Sequence, residues 1–227
     1  MHFVLLTLLL LVCVFGPSLW VRYNMHRYSG TIEGMPGTGG ELAEHLLQRF
    51  GMEDFTVEQT DAGDHFDPSA KAVRLSPGNF TGKSLTAVAV AAHEVGHAIQ
   101  FFRRENVFQL REKYIPMAIR FKKWGILLIT MAPFVALIFR APALVFVLIG
   151  ISLLFQLIGT LAYLIVLPEE WDASFGKALP ILIEGEYIPS TQVEPVKRVL
   201  KAAALTYFAG ALADILNIGR WLVLLRR

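Results

Sequence analysis

The sequence predicts a mainly α membrane protein with about four transmembrane helices and a small α+β region that carries the polar chemistry. Three observations predict this. Of 227 residues, 54% are apolar and only 18% charged, against about 25% charged in a soluble domain. The apolar residues concentrate in three stretches, 3–21, 125–167 and 200–225. Each reaches or exceeds the roughly 20 residues that one bilayer crossing requires. The polar remainder holds a pair of histidines spaced four apart on an alanine-rich segment. So much apolar surface excludes a disordered chain, and the single Cys13 excludes a disulfide scaffold.

The first element, 1–21, has no Lys or Arg before its apolar run, while Arg22 and Arg27 follow it. That charge order predicts an uncleaved anchor with its N-terminus outside, not a signal peptide. Residues 22–123 form the main polar region. Within it, 29–40 read as a loop, and Thr38 with Glu41 forms a capping box for a helix that ends at Gly51. Residues 55–59 are strand-like, 61–68 are rich in turn formers, and 72–76 alternate as a strand with Val73 and Leu75 on one face. The strand around Val73 is expected to offer an edge to an extended peptide. Alanines at 87, 89, 91, 92 and 98 favour a helix over 84–104.

The stretch 124–167 is too long for one helix and fits a hairpin that turns at Arg140 and Pro142. Residues 168–199 form a second polar segment, with a helix expected from Pro168 at its first turn. The last span, 200–227, carries Asp214 and Asn217, which are expected to face other helices because bare polar groups are costly in lipid. Residues 22–123 contain 13 of the 21 Lys and Arg, several of them beside the hairpin, and 168–201 adds four more. The positive-inside rule therefore puts both polar segments in the cytoplasm. Twelve Asp and Glu against those 13 cations leave no basic patch for nucleic acid.

The motif on the alanine-rich helix is His93-Glu94-Val95-Gly96-His97. Histidines one turn apart share a face and can both ligate one zinc, while Glu94 beside them can take a proton from metal-bound water. A catalytic zinc keeps three protein ligands. His45 and His65 are candidates for the third, and Glu169 and Glu170 are stronger ones because an even number of spans returns them to the side of His97. Glu170 and Ser174 share a helical face, so a carboxylate ligand there could be accompanied by a hydroxyl that orients a histidine. Gly96, unfavourable in a helix, implies close approach by another backbone or by substrate. Glu105 points away from the site.

Together, His93-Glu-Val-Gly-His-Ala-Ile-Gln100, Asp64-His65-Phe66-Asp67-Pro68, Pro168-Glu-Glu-Trp-Asp-Ala-Ser174 and Ala202-Ala-Ala-Leu-Thr-Tyr-Phe-Ala209 resemble the YugP-type membrane zinc metallopeptidases. More distantly they resemble HtpX and CAAX-prenyl-protease type enzymes. Phe66 stands for that family's usual Tyr, and Trp171 for its Phe. The resemblance implies one catalytic Zn2+ held by His93, His97 and Glu170, with Ser174 where the distant relatives have Asp. It implies a zincin-like catalytic region at the cytoplasmic face and an endopeptidase acting on peptide or protein substrates, membrane proteins among them. Glu94 would be general base and then acid. His65, Tyr187 and Tyr207 are candidate donors to the oxyanion. The competing expectation is a membrane metal-binding scaffold without proteolysis.

Overall fold

The computed structural model describes residues 2–215. It divides into two compact units, and the chain passes between them repeatedly. One unit comprises residues 2–18, 110–167 and 207–215, and the other comprises 19–109 and 168–206.

The first unit is built from long apolar helices: α1 (His2–Arg27), α5 (Asn106–Phe139), α6 (Pro142–Trp171) and α8 (Val193–Ile215), all of which also extend into the other unit. Among the described residues, three helices are long and apolar enough to cross a membrane: Leu5–Arg27, Asn106–Phe139 and Pro142–Glu184. The latter part of the expected fourth span, with Asn217 and the side chain of Asp214, lies outside the described residues. The expected break in the hairpin occurs at Arg140, which adopts φ 48° between α5 and α6.

Packing in the hairpin is inverted relative to a soluble protein. Leu137 and Phe146 are 77% and 74% exposed, whereas Ser152, Gln156 and Thr160 are buried. That pattern suits lipid as solvent, where helices associate through small residues and hydrogen bonds. Ser152 Oγ donates to the Gly125 carbonyl at 2.7 Å. A Cβ on Gly159 would lie 2.9 Å from the Ala118 carbonyl oxygen, so the two backbones meet directly.

The second unit surrounds α4 (Leu85–Phe102), whose residues from Leu85 to Gln100 are all buried. A capping box between Thr38 and Glu41 starts α2 (Gly39–Arg49), as its sequence predicts. Leu42, Leu46 and Leu47 of α2 pack in one core with Val88, Val95 and Ile99 of α4. Strands β1 (Thr56–Gln59), β2 (His65–Asp67) and β3 (Ala72–Leu75) form a sheet of order β1-β3-β2, with β1 parallel and β2 antiparallel to β3. Two expectations change here. The turn-rich stretch contains a strand, β2, and the strand of Val73 is central, so it has no free edge. The outer edges belong to β1 and β2. A short helix, α3 (Pro77–Phe80), then leads to Ser84, whose Oγ caps α4 by accepting from the Ala87 amide.

Pro168 also departs from expectation: it lies inside α6, not at the start of a new helix. Pro168 removes one bond of the helical ladder, and one residue later Gln100 Nε2 of α4 donates to the Glu169 carbonyl at 3.0 Å. Beyond Trp171 the chain continues as a π-helical turn, Asp172–Ala178, and then as α7 (Leu179–Glu184).

Asp67 closes the β2–β3 turn. It accepts from the Ser69 hydroxyl and from the Ser69 and Ala70 amides, and pairs with Arg74 at 2.6 Å. These donors, the Ser69 hydroxyl foremost, hold its carboxyl at about 2. A depressed carboxylate stabilises the fold above its unfolded pKa and loses that contribution as pH falls through the folded value. The stability gap between wild type and Asp67→Asn should therefore be full above about pH 4 and close toward pH 2, followed by chemical unfolding. In the hairpin, Gly159→Val should cost about 1–3 kcal/mol by forcing the backbones apart, read as a lower unfolding temperature in detergent.

Candidate metal centre

Both histidines and Glu94 project from the middle of α4, where burial removes competing water. His93, His97, Glu94 and Glu170 are all 7% exposed or less. Glu170 comes from the last turn of α6, far along the chain. Its Oε2 lies 3.4 Å from His93 Nε2 and 3.4 Å from His97 Nε2, and the two Nε2 atoms are 3.2 Å apart.

These separations test the site against a metal. Ligand atoms about 2.0–2.1 Å from a tetrahedral ion lie about 3.3–3.4 Å from one another. The three edges observed match one face of such a tetrahedron. The hydrogen-bond network fixes which ring nitrogens are available. Ser174 Oγ donates to the Leu200 carbonyl at 3.0 Å, so it accepts from His93 Nδ1 at 2.9 Å. Gln100 Nε2 donates to the Glu169 carbonyl and to Asp172, so its Oε1 accepts from His97 Nδ1 at 3.0 Å. With both Nδ1 atoms donating, both Nε2 lone pairs point at the carboxylate oxygen. Three acceptors converging in a buried space suit a cation. His93, His97 and Glu170 thus form a cluster able to coordinate a metal ion.

Glu94 sits among these groups. Burial pushes its carboxyl above the usual carboxylate range; His93 and His97 oppose the shift, while Glu170 and Asp64 add to it. Asp64 is itself pinned: it accepts from the Ser76 amide and hydroxyl at 2.7 and 2.9 Å, and from Asn79 Nδ2 at 2.8 Å. The Asp64 turn is therefore structural support beside Glu94.

The other sequence candidates have distinct places. His65 is half-buried on β2, and its Nδ1 donates to the Gly63 carbonyl at 2.8 Å. Its Nε2 can donate only when the ring is an imidazolium. Tyr207 belongs to the first unit, stacked on Tyr163 with the Arg111 guanidinium 4.7 Å from its ring centre. Tyr187 hydrogen-bonds His45 at 2.7 Å and accepts from Arg49, and both Tyr187 and His45 line a cavity of about 350 Å³ with Met35, Leu42 and Val88. Glu105 pairs with Lys177 at 2.9 Å. Glu169 lies on the far side of the His97 ring from Glu170, with Oε1 3.0 Å from Nδ1. Sequence reasoning missed the part played by Gln100, although its position three residues after His97 places it on the same helical face.

Gly96 explains how α4 and the π turn approach so closely. A Cβ there would lie 2.7 Å from the Ala173 carbonyl oxygen and 3.2 Å from its Cα. Gly96→Ala should therefore displace the turn that carries Ser174, at a cost of about 1–3 kcal/mol, and weaken metal retention. Gly150→Ala, at a position with nothing within 4 Å, should leave both unchanged. Thermal unfolding and metal content of the two purified variants check the contrast.

Comparison with known proteins agrees with this geometry. Residues 3–226 match the family described as "Putative neutral zinc metallopeptidase". The chain is 33% identical over 229 residues to "Putative membrane protease YugP" of Bacillus subtilis (strain 168), across 99% of this chain and 96% of that protein. No solved structure matches. A family match over nearly the whole chain, long lipid-suited helices and a buried His/His/Glu cluster agree, and the chain belongs to the neutral zinc metallopeptidases, as a multi-pass membrane protein of that family.

Proposed function

We propose that the protein is a zinc-dependent endopeptidase whose site faces the cytoplasm and cleaves peptide or protein substrates, membrane proteins included. The observation that carries the reading is the convergence of His93, His97 and Glu170 beside a buried Glu94 whose carboxyl burial pushes above the usual carboxylate range. Two imidazoles and one carboxylate are a donor set typical of catalytic zinc, which leaves a coordination position open. Bound there, zinc supplies Lewis acidity, lowering the pKa of water and polarising a carbonyl.

The chain's own residues do the rest. His93, His97 and Glu170 hold the ion, with their rings oriented by Ser174 and Gln100. Glu94 removes a proton as the water oxygen attacks the scissile carbonyl carbon. When the carbon–nitrogen bond breaks, Glu94 delivers that proton to the leaving amine. Its raised affinity for protons suits both tasks. His65, as the imidazolium, and the Tyr207 hydroxyl are the proposed donors to the oxyanion. The outer edge of β2 offers backbone groups on which an extended substrate can pair. The cytoplasmic orientation rests on the Lys and Arg flanking the hairpin.

Glu94→Gln should keep its zinc and lose cleavage of an unfolded protein by about 10²–10⁴-fold, measured by metal analysis and proteolysis on the same sample. Wild-type cleavage by that variant would overturn the role of Glu94. A wild-type protein that binds zinc and cleaves nothing would favour the scaffold reading. His65→Phe and Tyr207→Phe should separate the two oxyanion donors by their loss of kcat. For orientation, Glu53→Cys in a Cys13→Ser background should react with an impermeant maleimide only after the cells are opened.

A further inference from the structure

The two histidines of the cluster are held differently. His93 Nδ1 donates to a neutral hydroxyl, Ser174 Oγ, at 2.9 Å. His97 Nδ1 faces two acceptors, each at 3.0 Å: Gln100 Oε1 and the Glu169 carboxylate. Glu169 is completely buried. It adjoins Glu170, so successive residues of α6 address the two nitrogens of one ring, Glu170 at Nε2 and Glu169 at Nδ1. Gln100 ties the Glu169 backbone to α4 through its carbonyl, which fixes the distance between that carboxylate and the ring.

A charged acceptor makes a stronger hydrogen bond than an amide at the same distance. Donation from Nδ1 to a carboxylate locks the ring's tautomer and increases the basicity of Nε2, which tightens metal binding. We propose that Glu169 is a positioning residue for the metal centre: it is not a ligand, but it orients and polarises His97, and Gln100 serves mainly to hold Glu169 in register. This rests on the zinc reading above and goes beyond it, because spacing alone left Glu169 and Glu170 as alternatives for one role.

The test uses the full-length protein in detergent, stripped of metal and titrated with zinc against a chelating fluorophore. Glu169→Gln preserves size and an oxygen acceptor but removes the charge. Its zinc Kd should rise about 10–100-fold, while the metal-free unfolding temperature stays near wild type. Glu169→Asp, which keeps the charge and withdraws it by one methylene, should give an intermediate Kd and serves as the second variant if the first does not fold. Cobalt substitution gives a readout that packing alone would not move. At saturation Glu169→Gln should retain the intense visible bands of a four-coordinate ion at shifted energies, whereas Glu170→Gln should lose them. Wild-type zinc affinity in the Glu169 variants would overturn the proposal and leave Gln100 as the orienting group. A cobalt spectrum for Glu169→Gln like that of Glu170→Gln would overturn it by making Glu169 a ligand. If the wild-type chain itself bound no zinc, the zinc reading would fall first, and the two failures are distinguished by that control.

Discussion

Three hydrogen-bond acceptors forced within 3.4 Å of one another, in a space closed to water, are the constraint on which the second unit is organised. Left bare, such a cluster is costly, since lone pairs repel and a buried carboxylate loses hydration. Ser174 at His93, and Gln100 with Glu169 at His97, hold both rings with their lone pairs inward. The network presents three ligand atoms in an arrangement that suits a cation. Structure and metal affinity are therefore expressions of the same free energy, as binding to the folded state alone stabilises it.

The arrangement depends on a backbone contact. α4 can carry the histidines into the carboxylate only if it lies nearly against the π turn, and Gly96 against Ala173 is where the two chains touch. A π turn adds a residue to the helical circuit, and such turns recur at functional sites. Here it begins two residues after Glu170 and contains Ser174, so the ligand and the hydroxyl that orients its partner lie on neighbouring turns. The same use of glycine recurs in the hairpin, where Gly125 and Gly159 admit a backbone within van der Waals distance. In lipid that proximity is a main source of helix association. In the second unit it positions a reactive group.

The elements that sequence made legible are those specified locally. The Thr38–Glu41 capping box, the Gly51 stop, the Arg140 break and the HExxH helix each depend on a few adjacent residues, and all occur as expected. What escaped depended on partners distant in sequence. Val73 alternates as an edge strand would, but strand order depends on which segments reach it, and β1 and β2 occupy both sides. β2 was hidden by the glycine, aspartates and proline around its three residues. Pro168 reads as a helix start because a missing amide costs nothing in a first turn, yet α6 runs through it to Trp171. Glu169 and Glu170 are adjacent and chemically identical, so no spacing rule separates them. Their difference arises from which nitrogen of His97 each one meets.

The donor set is also split in time. His93, Glu94 and His97 are translated before the hairpin, and Glu170 and Ser174 only after it. A nascent chain that has made the HExxH helix holds two ligands and a base but cannot complete the cluster. It becomes competent only when both arms of the hairpin have been synthesised and the chain has returned to the second unit. The topology thus ties completion of the donor set to synthesis of the whole hairpin.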